Sequence, residues 1–240
     1  MPKDGGIGAS SKRREDVRFL TGEGNYTDDI NLRGQAYVYF LRSDIAHGTI
    51  AKIETSAAEG KPGVVKIFTG ADFEALGGMP CGWQVTDRHG QPMQEPKHPI
   101  LAHGKVRHVG EPVAAVVADT LEQARDAAEA IDLEISELPA VMDMKAAVQD
   151  TAPKVHDDLT SNLCYDWGFV EENREAVNEA FEKAAHVTSL ELVNNRLVAN
   201  PMEPRVAVGD YARGTDEHTL YTTSQNPHVI RLLMLSLIHI

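Results

Sequence analysis

The sequence predicts a mixed α/β (α+β) fold in which helices are laid on small sheets. Three observations carry that expectation. Val113 to Ala118 is a continuous apolar run, Asp119-Thr120 caps a helix whose alanines recur at helical spacing through Ala130, and Ile131 to Glu137 alternates as a strand. Shorter strand-forming runs precede this unit and are separated by turn residues. Near the end of the chain, strand formers from Thr219 to Thr223 give way to a polar turn and then to Pro227, whose fixed φ and missing donor suit the first position of a helix.

Composition narrows the function classes. At 240 residues the chain is long enough for one large or two ordinary domains. A net charge of -13 argues against a nucleic-acid-binding surface, which needs a basic stripe that no window supplies. Two cysteines, Cys81 and Cys164, make neither a disulfide framework nor a zinc motif, so a reducing cytoplasm is the expected setting. No apolar stretch is long enough to span a membrane, and Met1 to Asp16 lacks the apolar core of an export signal.

Taken in order, residues 1–34 are rich in Gly, Arg and Asp and read as a turn-rich extended arm. Gly6-x-Gly8 and Gly22-x-Gly24 do not complete a phosphate-binding pattern, because neither follows a strand or opens a helix. Asp28-Asp29 reads either as partners in ion pairs that pin the arm or as paired carboxylates for acid/base work. Residues 35–137 form the first domain, with strands at Ala36 to Arg42, Thr49 to Glu54 and Val64 to Phe68. Thr69 caps a short helix through Leu76. Gly77 to Pro99 is a surface loop. His98, His103 and His108 recur every five residues, an interval that fits neither a helix face nor a strand face, which favours exposed or structurally bonded histidines over a metal site.

Residues 138–162 read as a connector, with a short helix at Met142 to Gln149. A second regular region follows. It has a strand near Leu163 to Phe169 and a helix from about Glu171 to Ala185 that buries Ala176, Ala180, Phe181 and Ala184. Strands are expected at Val187 to Asn194, Arg205 to Tyr211 and Thr219 to Thr223. Glu203 and Arg205, two apart on an extended segment, point to one face and read as a structural ion pair more readily than as catalytic groups. Gln225 stands where the last strand ends and the helix begins. It is either a turn residue or, because an uncharged amide offers both a donor and an acceptor, a contact for an oxygen-rich ligand.

Several separated motifs resemble the large subunit of molybdenum hydroxylases, the xanthine dehydrogenase family. The opening carries Gly8-Ala9-Ser10, Arg13-Arg14-Glu15-Asp16, Arg18 to Gly22 and Asp28-Asp29-Ile30. The first domain carries Arg42-Ser43, Ala46-His47 and Gly110-Glu111-Pro112-Val113-Ala114. Asn194-Asn195-Arg196, Met202-Glu203-Pro204-Arg205 and Ser224-Gln225-Asn226-Pro227-His228 follow in family order. Their wording is nearest to aerobic carbon monoxide dehydrogenase large subunits. The resemblance implies a hammerhead-like α/β domain followed by the start of a molybdopterin-binding domain at 163–234. It implies a molybdenum-molybdopterin cofactor, in its cytosine dinucleotide form, that transfers water-derived oxygen to a small substrate: carbon monoxide, an aldehyde or an N-heterocycle. By motif match, Gln225 would donate a hydrogen bond to an oxygen ligand of the molybdenum.

The same resemblance implies an iron-sulfur small subunit and an FAD medium subunit as partners, arranged as a dimer of heterotrimers. Leu235 to Ile240 do not follow the family pattern, so the chain is expected to be an N-terminal fragment, inactive alone, with a non-family tail at 235–240. A stand-alone, non-catalytic interaction or assembly module is the alternative reading.

Overall fold

The computed structural model describes residues 12–168, 173–195 and 197–238. Gly6-x-Gly8, the Gly8-Ala9-Ser10 motif and Arg196 lie outside those residues. The chain divides into two units, described separately below. One comprises Met1–Gly34 with Val193–Asn226, and the other Gln35–Leu192 with Pro227–Ile240.

The larger unit is built on two three-stranded antiparallel sheets. In the first, β5 (Pro112–Ala118) lies between β1 (Tyr37–Arg42) and β3 (Val64–Thr69). In the second, β2 (Gly48–Glu54) lies between the two-residue β4 (Lys105–Val106) and β6 (Asp132–Glu137). The central position of β5 explains its continuous apolar run, since both of its faces are covered. Helix α3 (Leu121–Ala128) packs Ala124, Ala127 and Ala128 against Ala114, Val116 and Ala118 of β5, with Ala58 of the short α2 (Ser56–Glu59) in the same cluster. Thr120 caps α3 as the sequence predicts. Its hydroxyl accepts from Gln123 N–H, and the Gln123 side chain accepts from Thr120 N–H. Alanine on that helix face lets backbone and sheet approach closely. Although β5, α3 and β6 are consecutive, the two strands belong to different sheets, so the segment is no parallel crossover.

A second apolar cluster of Ala102, Val106 and Val113 packs with Ile45, Ile50, Leu133 and Ile135 under the other sheet, and Ile53 touches both clusters. After β3, the chain turns through a 3₁₀ segment, Gly70–Leu76, closed by Thr69 and Asp72 in a capping box. A Cβ at Gly70 would lie 2.4 Å from Ala102 O, so only glycine admits this approach of the two backbones.

The connector is tied back onto this unit. Asn162 organises it: its Oδ1 accepts from Val155 N–H, and its Nδ2 donates to Ala147 O and Pro153 O. The short helix expected there is α4 (Met144–Ala147), with Asp143 as its cap. Residues 163–168 form no strand. They meet the loop before β4 through Gln94 N–H to Cys164 O, Arg88 N–H to Asp166 O and an Arg88–Asp166 ion pair of 2.8 Å.

Two further expectations fail for one physical reason. Helix α5 (Arg174–Lys183) forms, but Ala176, Ala180, Phe181 and Ala184 are exposed, and residues 187–194 form no strand. A strand needs an adjacent edge for its hydrogen bonds and an amphipathic helix needs a surface for its apolar stripe. No described residue of this chain supplies either.

The smaller unit holds an antiparallel hairpin, β7 (Ala207–Ala212) and β8 (Glu217–Thr222), together with the N-terminal arm. The arm has a five-residue helix α1 (Asp16–Leu20) and a 3₁₀ turn, Thr27–Asp29. Asp29 accepts from Tyr26 N–H at 2.8 Å, and Phe19 stacks on Tyr26 at 5.8 Å. That contact favours the structural reading of Asp28-Asp29 over acid/base work. Helix α6 (Pro227–Ile238), part of the larger unit, begins at Pro227 as predicted.

Candidate functional site

The stretch that ends β8 is assembled from short polar contacts within the smaller unit. Register pairs Ala207 with Thr222, and Thr222 Oγ1 donates to Val206 O at 3.1 Å, which closes the open end of the hairpin. At its other end, Asp216 takes a positive φ of 57° in the turn. Its carboxylate accepts from the Tyr211 hydroxyl at 2.9 Å, and that bond raises the phenol's pKa.

Thr223 follows β8 and donates to Glu203 Oε1 at 3.0 Å, and its hydroxyl lies 3.4 Å from that of Thr27. This contact joins three of the sequence motifs, those around Asp28, Glu203 and Gln225. It also corrects the expected Glu203–Arg205 ion pair: that pair is not formed among the described residues, because the Glu203 carboxylate is held by Thr223. Ser224 Oγ accepts from Asn226 N–H at 2.9 Å, the local side-chain turn typical of serine between a strand and a helix. Between them, Gln225 is exposed, and its carboxamide makes no hydrogen bond among the described residues. Ser224 and the Asn226 N–H shape the turn, and the Gln225 carboxamide keeps a donor and an acceptor that no described residue engages. That donor set is uncharged and suits an oxygen- and nitrogen-rich cofactor.

The motifs of the larger unit serve architecture. Ser43 N–H donates to Glu111 O, Gly110 N–H to Ser43 O, and the Arg42 guanidinium to Gly110 O, so Arg42-Ser43 and Gly110-Glu111 interlock as one joint. Gly110 adopts φ 84° there, a conformation costly for any side chain. Glu111 is buried, with Oε2 accepting from Arg107 N–H at 2.5 Å. The three spaced histidines do not converge on a metal. His103 faces Glu74 at 3.8 Å, His108 faces Glu111 at 3.7 Å and meets His98 edge to face. Among the described residues no three His, Cys, Asp or Glu side chains are grouped to hold a metal ion.

Residues 21–139 match the a/b hammerhead domain of aldehyde oxidase and xanthine dehydrogenase, and residues 155–240 match the molybdopterin cofactor-binding domain. The chain belongs to the aldehyde oxidase and xanthine dehydrogenase family. It is 35% identical over 95% of its length to the nicotine 6-hydroxylase large subunit of Paenarthrobacter nicotinovorans. It is 31% identical, over the same share, to the carbon monoxide dehydrogenase large chain of Afipia carboxidovorans. Among solved structures, quinoline 2-oxidoreductase from Pseudomonas putida 86 superposes with a TM-score of 0.81 at 34% identity, covering 97% of this chain and 29% of that one. The Cu,Mo-CO dehydrogenase in its carbon monoxide reduced state gives 0.78 at 30% identity, covering 96% and 29%. The chain spans 27% and 28% of the length of the two curated relatives. Gln225 and the Thr223–Glu203 contact therefore lie in the part of the family fold that matches the cofactor-binding domain.

One pH-dependent behaviour arises in the larger unit. His156, in the connector, has its pKa lowered by burial and by the nearby Arg107, against weaker opposing effects of Asp158, Glu111 and Asp157. The unfolded segment thus takes up a proton first as pH falls. Docking of residues 153–159 is fully supported above the ordinary imidazole value and weakens as pH drops through it toward the folded-state value. Hydrogen-exchange protection of these amides is expected to fall between about pH 7.5 and 5.5, and His156→Asn is expected to flatten that fall. Unchanged protection in the parent chain would refute the assignment.

Proposed function

We propose that this chain provides the hammerhead domain and the opening of the cofactor-binding domain in the large subunit of a molybdenum hydroxylase. The reading rests on Gln225, an exposed and uncommitted carboxamide inside the region that matches a molybdopterin cofactor-binding domain. The contacts of Glu203, Thr223 and Ser224 hold the turn that presents it. Gln225 would hold the cofactor by N–H donation, with no charge to titrate near neutral pH. When bound, molybdenum-molybdopterin, in the cytosine dinucleotide form, supplies transfer of water-derived oxygen to substrate carbon and accepts the two electrons released.

The substrate class is a small oxidisable molecule: carbon monoxide, an aldehyde or an N-heterocycle. Relatives named for nicotine, carbon monoxide and quinoline support that breadth. Electrons would leave through an iron-sulfur small subunit and an FAD medium subunit in a dimer of heterotrimers in the cytoplasm. Relatives named as large subunits and as a subunit of a dehydrogenase complex support partner chains. No helix of the described residues is long and apolar enough to cross a membrane. The division into arm (1–34), hammerhead (35–137), connector (138–162) and cofactor-domain opening (163–234) is part of the same proposal. The 240 residues expressed alone are expected to show no hydroxylation.

The test is to purify the protein that carries this chain from its native host by a tag, and to measure molybdenum and pterin together with iron and flavin. Near-stoichiometric molybdenum and pterin, with iron and flavin on co-purifying chains, is the expected result. Purified protein with intact hammerhead spectra but no molybdenum or pterin would overturn the proposal.

A further inference from the structure

A buried polar arrangement on the hammerhead sheet has no part in the cofactor stretch. Strands β2 and β4 pair Gly48 with Val106 and Thr49 with Lys105, and His47 and Arg107 are the residues just beyond the end of that ladder, where its register continued would set them opposite each other. Residues directly opposite on antiparallel strands carry their side chains on one face, with Cβ atoms about 4.5–5.5 Å apart. Val106 faces the apolar cluster, strand alternation sends Lys105 to the other side, and His47 and Arg107 would follow it there if the alternation continues past the ladder. The connector lies on that side, where Lys105 Nζ is 2.5 Å from Asp157 Oδ2.

His47 is 5% exposed, and its Nδ1 lies 2.9 Å from Pro139 O. A carbonyl only accepts, so in the neutral ring Nδ1 carries the proton and Nε2 presents a lone pair. That Nε2 is buried without a partner among the described residues. So is Arg107 Nε, which always carries a proton. An acceptor and a donor, on residues that follow directly from the end of one ladder, are thus held out of reach of bulk water, each costly to leave unpaired.

We propose that His47 and Arg107 bind one ordered water molecule, which accepts from Arg107 Nε–H and donates to His47 Nε2. The charges around the pair favour a neutral ligand. Lys105 and Arg107 are offset by Asp157 and the buried Glu111 carboxylate, which disfavours an anion. A permanent guanidinium charge on the same face disfavours a metal cation. Water supplies both a donor and an acceptor in the smallest volume. Through His47 Nδ1 it fixes the carbonyl of Pro139, just past the end of β6, and through Arg107 it reaches the end of β4. The water is a structural ligand that holds the start of the connector against the sheet.

The test is a pair of crystal structures near neutral pH, of the protein that carries this chain and of its Arg107→Lys variant, at a resolution that shows ordered water. The expected result is a peak within about 2.7–3.2 Å of both nitrogens in the parent protein. That peak should be lost in the variant, which keeps the charge but lacks Nε. A peak with anomalous scattering of a metal, no peak, direct pairing of the two nitrogens with protein groups, or a peak unchanged in the variant would each overturn the proposal. Should the variant not fold, the parent map alone decides, because the water either bridges the two atoms or does not.

Discussion

Replacing Gln225 by Ala in the full subunit is expected to lower kcat by about 10- to 100-fold, the range seen when a group that supports a metal centre from its outer shell is removed. The same change is expected to leave thermal stability nearly untouched. Gln225 is exposed and makes no hydrogen bond among the described residues, and substitutions of that kind usually stay within about 0.5 kcal/mol. These two outcomes together separate a cofactor contact from a turn residue. A turn residue would lose stability and leave kcat per bound molybdenum unchanged. Rates normalised to metal content, read beside the melting temperature, make the distinction. A variant with parental kcat at full molybdenum occupancy would return Gln225 to a turn role.

The second large effect concerns the hammerhead core. Val116 lies in the middle of β5, is fully buried, and pairs with Tyr39 on one side and Ile67 on the other. Val116→Asp would place a carboxylate where no partner is available. Burying an uncompensated charge costs about 3–5 kcal/mol, a large share of the about 5–15 kcal/mol that holds a typical domain together. Loss of cooperative unfolding of this unit is the expected result in a urea titration. Val116→Thr keeps the shape and exchanges one methyl for a hydroxyl, so it is expected to cost less, about 1–3 kcal/mol. A parental urea midpoint for the Asp variant would mean that β5 is not the centre of the sheet.

Legibility in the sequence followed the range of the forces involved. β1, β2, β3, β5 and β6 were readable because each carries its own burial pattern, and α3 because Thr120 and Gln123 cap it locally. The 3₁₀ turn after Thr69 and the helix that starts at Pro227 were readable for the same reason. β4 has no signature in the sequence because two residues carry no periodicity, and it exists through pairing with Gly48 and Thr49. Residues 163–168 and 187–194 have strand-like composition but no adjacent edge among the described residues. Propensity without a hydrogen-bonding partner leaves a segment irregular. Spacing alone favours a Glu203–Arg205 pair, because residues two apart on an extended segment share a face. Thr223, twenty residues away in sequence, holds the carboxylate instead.

By itself, the sequence determined the elements that carry their own burial pattern or cap, the mixed α/β class and, through the order of its motifs, the family and the place of Gln225 at the end of a strand. Those properties are written in neighbouring residues or in a string of them. Only the tertiary structure decided that β5 and β6 join different sheets and that Arg42-Ser43 and Gly110-Glu111 form one joint. It alone set Glu203 against Thr223 and paired Gly48 with Val106, which carries His47 and Arg107, sixty positions apart in sequence, to the end of one ladder. Each of these depends on long-range pairing and burial, which no short window of sequence contains.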